Sequence, residues 1–422
     1  MAFRNLPSGP ITLQNLSVPA CLLGQEGDLV RCDLSIDAEG RLSGPQALAV
    51  DMAGALALPA FVDMHTHLDK GHIWARSPNP DGTFMGALTS VGADRTAHWT
   101  ASDVEMRADF ALRCAYHHGT RAIRTHLDSI PPQDDISWPV FRALRDAWAG
   151  RIDLQACCLL GIDRMDLYGA FPHTADLVAE SGGVLGVVTY PVEGFDRLLT
   201  GFLDHAVKRG LPVDFHVDET MDASVETLRR IAEIILETGF DAPVTVGHCC
   251  SLSSQDEARA LDTLDLVAKA GISVVSLPLC NLYLQDRHAG RTPRQRGITL
   301  VQEMVERGIP VAFASDNTRD PFYAYGDLDM LEVMRMATRI GHLDHGRADW
   351  PLAVSATPAQ ICGFRETSLA AGAPADLIIF NARSWTELHA RPHSDRIVLR
   401  NGAVLDTRLP DYAELDRLME TP

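Results

Sequence analysis

The chain has 422 residues, 46% of them hydrophobic, and a formal charge of −19 from 56 acidic and 37 basic residues. This length and composition allow a large buried core and exceed the usual size of one compact domain. The negative charge disfavours nucleic-acid phosphates and anionic lipid surfaces as partners, and the longest apolar stretches fall far short of the roughly 20 residues that span a bilayer.

The first residues, MAFRNLPSGP, lack the hydrophobic region of a signal peptide. The nine cysteines are odd in number, include the adjacent pairs Cys157-Cys158 and Cys249-Cys250, and follow no disulfide-framework spacing. Reduced thiols are the better interpretation. We therefore expect a cytoplasmic protein with a small-molecule substrate and no nucleic-acid or membrane partner. Whether it forms a homo-oligomer is left open.

Short β-like pieces mark both ends of the chain, as in Ile378–Phe380 and Ile397–Leu399. The pair Asn401-Gly402 follows as a hairpin-turn signal. We predict that residues 1–58 and 361–422 pair into one small β domain.

Between these ends, eight short apolar segments rich in β-branched residues recur, most of them at helix-length intervals. They are 58–64, 121–125, 153–160, 184–189, 212–215, 243–246, 272–277 and 310–314. Strands that alternate with helices predict an α/β protein with a parallel sheet, and eight of them favour a (β/α)₈ TIM-like barrel over residues 59–360. An open doubly wound sheet is the structural alternative.

Two of the intervening segments carry helix signals. Ser102-Asp-Val-Glu105 has the pattern of a capping box, which would open a helix that ends before Gly119. A second helix is predicted from Ser224 to Thr238, closed by Gly239.

The residues with chemistry begin at the first barrel strand, where His65 and His67 stand two positions apart. Side chains at i and i+2 of a strand project to one face, as two ligands of one ion require. Three more polar residues, His216, His248 and Asp316, stand at equivalent strand ends. The carboxyl ends of barrel strands converge on the catalytic face, so we expect these five side chains to lie together.

Three imidazoles and a carboxylate form a nitrogen and oxygen shell that suits Zn²⁺ or Fe²⁺ and leaves a position for water. We predict His65, His67, His216 and Asp316 as metal ligands, with a bound water activated at neutral pH. Glu219 would shuttle protons to the substrate and the leaving group. His248 either binds the metal or polarises the substrate, and we favour the second role.

The chain contains three lysines, Lys70, Lys208 and Lys269, and none ends the fourth predicted strand. A carbamylated lysine that bridges two metals is therefore not expected. One divalent metal is the simpler prediction.

At this point the chain resembles the amidohydrolase superfamily, in particular its cytosine deaminase-like branch, over nearly its whole length. The most specific motifs are LPAFVDMHTHLD (58–69), RTHLD (124–128), HVDE (216–219), PLCNLYLQD (278–286) and SDN (315–317). The resemblance implies metal binding by His65, His67, His216 and Asp316. It also implies that Glu219 and His248 handle protons and the attacked centre, and that Asp316 takes the proton of the attacking water.

Two departures from that branch bear on the substrate. Cytosine deaminases carry a glutamine after the third strand that reads the pyrimidine amide, whereas Leu159-Leu-Gly-Ile-Asp163 stands here. Cytosine is therefore expected to be a poor substrate, and the missing side chain is expected to leave room for a bulkier ring. Asn317 replaces a second aspartate, and together with Lys70 it makes the chain more similar to triazine-type amidohydrolases.

Four residues are predicted to contact the substrate. His126 ends the second barrel strand, Asn317 follows Asp316, and Trp74 and Phe322 could wall the pocket.

The sequence thus predicts a metal-dependent hydrolytic deaminase of a cytosine-like, pterin-like or triazine-like amino-heterocycle, releasing ammonia. One alternative is hydrolysis of a cyclic amide or N-alkylamino heterocycle at the same site. A non-catalytic metal-binding protein is the alternative from another class, and Glu219 weighs against it, because storage or structure needs only the ligands.

Overall fold

The structure, a computed structural model, describes residues 6–366, 368–392 and 395–420. Its strands are β1 (Ile11–Pro19), β2 (Leu29–Ile36), β3 (Leu42–Ser43), β4 (Ala49–Asp51), β5 (Leu56–Pro59), β6 (Phe61–Thr66), β7 (Thr120–Asp128), β8 (Asp153–Leu159), β9 (Leu185–Thr189), β10 (Val213–Val217), β11 (Val244–His248), β12 (Ser273–Ser276), β13 (Val311–Phe313), β14 (Leu377–Phe380), β15 (Arg396–Arg400) and β16 (Ala403–Val404).

The α-helices follow in chain order. They are α1 (Phe84–His98), α2 (Ala101–His118), α3 (Asp134–Trp148), α4 (Phe171–Glu180), α5 (Phe195–Arg209), α6 (Thr227–Thr238), α7 (Glu257–Lys269), α8 (Pro278–Leu284), α9 (Val301–Glu306), α10 (Met330–Gly341), α11 (Ala356–Cys362), α12 (Trp385–Ala390) and α13 (Asp416–Met419).

Strands β6 to β13 are parallel and pair in chain order, as one sheet of β6 to β8 and a second of β9 to β13. Isolated parallel bridges connect these sheets at both edges. Cys157 and Gly161 bridge to Val184 and Val188, and Thr66 bridges to Asp316. The α/β fold with parallel strands that the sequence predicts is therefore confirmed.

Burial explains why these segments form strands and helices of one core. All five residues of β10 are buried, as expected for a parallel strand covered on both faces. On α6, Leu228, Ile231 and Ile235 recur at three- and four-residue spacing and face the same large apolar cluster. The result is a sheet with helices packed over its outer face.

The two predicted helices exist, but both start elsewhere than expected. Helix α2 begins at Ala101, because the Thr100 side chain accepts the Asp103 amide and caps the helix, so Ser102 is not the N-cap. Helix α6 begins at Thr227 rather than near Ser224. Both helices end at the expected glycines, Gly119 and Gly239, which adopt left-handed backbone angles.

The start of α6 is set from outside the helix. Asp218, at the end of β10, accepts the amides of Thr227 and Leu228. A carboxylate at a helix N-terminus satisfies free N–H groups and favours the helix dipole. The helix therefore starts where this carboxylate can reach it.

A separate sheet joins the two ends of the chain in the order β16-β15-β14-β5-β1-β2-β3, with β4 paired to β1. Its apolar cluster includes Leu13, Leu16, Ile379 and Leu399. Asn401 and Gly402 both have positive φ, 47° and 75°, as the predicted two-residue hairpin turn between β15 and β16 requires.

In the described residues, no helix is long and apolar enough to cross a membrane. The nine cysteines all fall within the described chain, and each is a free thiol.

Candidate metal centre and active site

The five predicted side chains converge at the carboxyl ends of the parallel strands. His65 lies in β6 with His67 just after it, His216 lies in β10, His248 ends β11, and Asp316 follows β13. All five are buried, with exposed fractions of 5% or less. The i, i+2 spacing and the shared strand direction therefore bring these groups together, as the sequence argument requires.

The distances among these groups match the ligand shell of one small cation. His65 Nε2 lies 3.1 Å from His216 Nε2 and 3.6 Å from Asp316 Oδ1, and His67 Nε2 lies 3.1 Å from Asp316 Oδ1. Ligands of a tetrahedral zinc, at bond lengths of about 2.0–2.2 Å, stand about 3.3 Å apart. Asp316 Oδ2 is a buried oxygen without a hydrogen-bond partner in the described chain.

The protonation states also fit a divalent cation. Burial is the main cause that lowers the pKa of His65, His67 and His216 well below the ordinary value, so these rings are neutral. Neutral imidazole is the form that binds a metal. The residues present therefore fit one divalent metal.

Backbone strain marks the same strand ends. His248, Cys249, Asp218 and Asp316 all have positive φ, between 50° and 70°. Non-glycine residues rarely adopt this region, and such strain collects at sites where the surrounding structure holds a side chain in a required direction. Here the positive φ angles turn the backbone sharply where the strands end, next to the predicted metal ligands.

Asp316 is held by residues that sequence reasoning missed. Its amide donates to the His65 carbonyl at 2.8 Å, and the Thr66 hydroxyl donates to the Asp316 carbonyl at 3.0 Å. Asp63, inside β6, accepts both the amide and the hydroxyl of Ser315. A buried aspartate within an apolar strand, as in FVDMH, is the signal that could have found this support.

Glu219 and His248 meet through Asn281 on α8, another residue without a predicted role. Asn281 Nδ2 donates to Glu219 Oε1 at 3.4 Å and lies 3.0 Å from His248 Nδ1. With Nδ1 accepting from this amide, the neutral His248 ring carries its proton on Nε2. Burial lowers the pKa of His248 to about 3. Burial and the Asp316 carboxylate raise the pKa of Glu219 well above its ordinary value.

A buried ion cluster borders the site on the side of β7. The Lys70 ammonium lies 3.3 Å from Asp128 Oδ1, and Arg95 donates to Asp128 Oδ2 at 2.7 Å. The Lys70 nitrogen also lies 5.1 Å from the ring centroid of Phe322. The Lys70 ammonium is therefore held by Asp128 next to Phe322, a predicted substrate residue.

The predicted substrate residues occupy three different settings. Asn317 is buried and donates to Asp320 Oδ2 at 2.7 Å, while Phe322 is buried against Phe84 with ring centroids 5.4 Å apart. Trp74 is half-buried in the segment after β6, where its amide donates to the Arg319 carbonyl. His126 is fully buried on β7, with its ring centroid 4.0 Å from that of His65.

The expectation of open space beside the third barrel strand is wrong. A Cβ atom at Gly161 would lie 2.5 Å from the Tyr190 hydroxyl and 2.8 Å from Asp163 Oδ1. Tyr190 donates a hydrogen bond to Asp163, so these two polar side chains fill the volume next to Gly161. Single-sequence reasoning missed them because they follow two different strands.

This parallel fold and this ligand set define the class of protein. The model of the family described as the amidohydrolase family matches residues 163–405, which is more than half of the chain. The chain belongs to the amidohydrolase family.

Within this class, the chain is 51% identical to a pterin deaminase of Rhizobium rhizogenes, over 96% of both chains. Its structure is similar to that of 5-methylcytosine deaminase from Klebsiella pneumoniae bound to 5-fluorocytosine, with a TM-score of 0.79, 27% identity, and coverage of 95% of this chain and 98% of that one.

N-isopropylammelide isopropylaminohydrolase from Burkholderia multivorans has a TM-score of 0.71 over 94% of this chain and 98% of that one. At 23% identity this likeness shows the fold alone. The deaminase relatives confirm the prediction of a hydrolase that deaminates nitrogen heterocycles.

Proposed function

We propose that this chain deaminates a pterin: water replaces the 2-amino group of the 2-amino-4-oxopteridine ring, giving the 2,4-dioxo ring and ammonia. The observation that carries the proposal is the 51% identity to a pterin deaminase across 96% of both chains. The approach of His65, His67, His216 and Asp316 to one another, beside a buried carboxylic acid and a neutral imidazole, supports it.

We infer one divalent metal, zinc or iron, held by His65, His67, His216 and Asp316. Both ions accept imidazole and carboxylate ligands, and the set leaves a coordination position for water. A divalent metal bound there lowers the pKa of water from about 15.7 to about 7, so attack proceeds at neutral pH.

The side chains supply the proton transfers. Asp316 takes the first proton of the attacking water. Glu219, kept protonated by burial, donates to the ring nitrogen beside the attacked carbon, recovers a proton from the added hydroxyl and passes it to the leaving amine. The proton on Asp316 then restores Glu219, so two water protons end on the ring and the ammonia. His248 donates from Nε2 to the oxygen at the attacked carbon.

The substrate ring is proposed to lie between the polar residue Asn317 and the aromatic residues Phe322 and Trp74. An apolar wall with a few fixed polar groups is the usual composition of a small-molecule pocket. Tyr190 and Asp163 stand near the position of the glutamine in cytosine deaminases, and they offer a different hydrogen-bonding edge.

We also infer that β6 to β13 form a closed (β/α)₈ barrel, because bridges connect the two parallel sheets at both edges. The proposed domain division assigns residues 59–360 to the barrel and the two ends of the chain to the smaller β domain. This arrangement places the catalytic groups at the carboxyl ends of the barrel strands, where such barrels carry their active sites.

The proposal is tested by incubating the purified, metal-loaded protein with pterin while ammonia and the ultraviolet spectrum of the ring are recorded together. We expect one ammonia per pterin consumed, and we expect Glu219→Gln to lose most of this activity in the same preparation. Cytosine and N-isopropylammelide serve as comparison substrates.

Two outcomes would contradict the proposal. Rapid deamination of another amino-heterocycle with no reaction on pterin would replace the substrate and keep the chemistry. Release of isopropylamine from N-isopropylammelide, without ammonia from any substrate, would replace the reaction itself.

A further inference from the structure

Three charged or polar side chains lie inside the barrel next to the metal ligands and have no role in the proposed chemistry. Arg124 and His126 belong to β7, and Asp214 belongs to β10. Their exposed fractions are 2%, 0% and 1%. The interior of such barrels is usually filled by branched apolar side chains, so this group is an exception that calls for a cause.

The three side chains form a connected line. Arg124 Nη1 donates to Asp214 Oδ2 at 3.1 Å, and Asp214 Oδ1 faces His126 Nε2 at 3.4 Å. On its other side, Arg124 Nε donates to Gln155 Oε1 at 2.7 Å, and Gln155 donates to the Cys362 carbonyl at the end of α11. His126 Nε2 therefore faces, without a hydrogen bond, a carboxylate that Arg124 holds in place.

The His126 ring in turn packs on two of the metal ligands. Its centroid is 4.0 Å from that of His65 at an interplanar angle of 38°, and 4.8 Å from that of His216 at 87°. A tilted contact on one ligand and an edge contact on the other leave little freedom for either imidazole.

Stability alone is a weak explanation for these residues. Burying an ion pair requires desolvation of both charges, and replacing such a pair by apolar side chains is often neutral or stabilising. Groups that orient the ligands of a metal, in contrast, raise metal affinity and are kept for that reason.

We propose that His126 is a positioning residue for the metal centre: the Arg124–Asp214 pair holds its ring, and the ring fixes the orientation of His65 and His216. The sequence had placed His126 among the substrate residues, whereas these contacts put it against the ligands. The inference rests on the metal site of the proposed function, but it does not depend on which heterocycle is the substrate.

One competing interpretation is that His126 binds the same cation, since its ligand atom also lies within 4.8 Å of those of His65, His67 and His216, and the Co²⁺ measurement below decides it. The other is a second cation bound by His126, Cys157 and Asp214, whose ligand atoms lie within 4.8 Å of one another. Two observations oppose this second cation. The Arg124 guanidinium already occupies one oxygen of Asp214 and would repel a cation. Burial raises the pKa of the Cys157 thiol well above its ordinary value, which disfavours the thiolate that a metal binds.

The test measures affinity for Co²⁺ by competition with a chelator, together with the visible spectrum of the bound Co²⁺. His126→Phe keeps a ring but loses the contact with Asp214, and Asp214→Asn removes the charge that faces His126. Both variants are expected to bind Co²⁺ about 10- to 100-fold more weakly, with a changed spectrum and an unchanged KM at saturating metal.

His72→Phe is the matched control. His72 is also buried, with its ring 4.9 Å from that of Phe110, and it belongs to none of the ligand groups. This variant should bind Co²⁺ with the affinity of the unmodified protein. Thermal unfolding of the metal-free proteins shows which variants fold. If His126→Phe does not fold, the Co²⁺ affinity of Asp214→Asn alone decides the test.

Unchanged Co²⁺ affinity with a raised KM in folded His126→Phe would make His126 a substrate residue and overturn the proposal. Complete loss of Co²⁺ binding in His126→Phe, with normal affinity in Asp214→Asn, would overturn it in another way, because it would make His126 a direct ligand. Absence of pterin turnover, with the Co²⁺ results as expected, would overturn the proposed substrate and leave this inference standing.

Discussion

The carboxyl ends of the parallel strands and the terminal sheet contain opposite kinds of residues. At these strand ends, His65, His216 and Asp316 carry buried polar atoms without hydrogen-bond partners in the described chain, and several neighbours have positive φ. In the terminal sheet, Leu13 and Leu16 of β1 are fully buried among other aliphatic side chains.

The difference shows where this protein accepts a free-energy cost. Buried polar atoms without partners cost about 1–3 kcal/mol each, and strained backbone conformations about 1–3 kcal/mol more. Burial of an aliphatic side chain contributes about 1.5–3 kcal/mol of stability. The apolar packing of the terminal sheet and of the core around the parallel strands therefore stabilises a site that is unfavourable by itself.

Removing the proposed metal should have the largest effect, and this effect should be confined to the strand ends that carry the site. We expect turnover to disappear on chelation and to return when zinc or iron is added, because the proposed mechanism relies on a divalent metal to activate water. Elemental analysis should find about one divalent metal per chain. A reproducible stoichiometry near two would show that a second site had been overlooked.

Glu219→Gln should come next. The change keeps the size of the side chain and the four proposed metal ligands but removes the proton that Glu219 is proposed to donate. General acid-base groups contribute about 10²- to 10⁴-fold, so kcat should fall by that factor while the metal content stays the same. Near-normal turnover would rule out the assigned role.

Leu16→Ala tests the other half of the comparison. Leu16 has no exposed surface, and such truncations cost about 2–5 kcal/mol through lost burial and the cavity left behind. We expect the variant to unfold at a lower denaturant concentration than the unmodified protein, with kcat and metal affinity unchanged. Leu48→Ala, at a side chain that is 44% exposed, is the control and should have little effect. A loss of metal affinity in Leu16→Ala would show that the two regions are not independent.

Asp329→Asn tests an ion pair that joins the two regions. Arg396 of β15 donates two hydrogen bonds, at 2.9 and 2.6 Å, to Asp329 at the start of α10. Such charged hydrogen bonds contribute about 1.5–3 kcal/mol, so the free energy of unfolding should fall by that amount at neutral pH.

The effect of Asp329→Asn should depend on pH in a defined direction. Burial opposes ionisation of Asp329, but the charges of Arg396 and His118 and the hydrogen bonds from Arg396 and the Leu331 amide together outweigh it and hold the pKa below its ordinary value. The stabilisation is therefore complete above the unfolded pKa of about 3.9 and is lost as the pH falls through the lower pKa of the folded protein. Denaturation curves of the two proteins should converge in acid, and a constant difference down to pH 2 would contradict the ion-pair explanation.

The smallest expected effect is the difference in kcat/KM between related heterocyclic substrates. Without the glutamine of cytosine deaminases, polar groups of cytosine would stay unpaired, at about 1–3 kcal/mol each. We therefore expect kcat/KM for cytosine to be about 5- to 150-fold lower than for pterin for each lost partner. A panel of heterocycles measured side by side decides this, and cytosine as the best substrate would refute the interpretation of the residues near Gly161.

Much of the metal centre was accessible to sequence reasoning because its geometry follows from local rules. The spacing of His65 and His67 puts both on one face of a strand, and polar residues at the ends of parallel strands share one edge of the sheet. The hairpin at Asn401-Gly402 was predicted for a similar reason, since both residues tolerate positive φ. In each case the chemistry of a few neighbouring residues was sufficient.

What the sequence by itself determined is thus the parallel α/β architecture, from the alternation of strands and helices, and the meeting of the predicted ligand residues at the strand ends. The reaction class followed from the resemblance of its motifs to a known family. Only the tertiary structure decided how distant segments meet: Asn281 between Glu219 and His248, Asp218 at the start of α6, and Tyr190 with Asp163 beside Gly161. The physical reason is that these contacts depend on the paths of separate loops. The periodicity of one segment carries no information about which loops pack against each other.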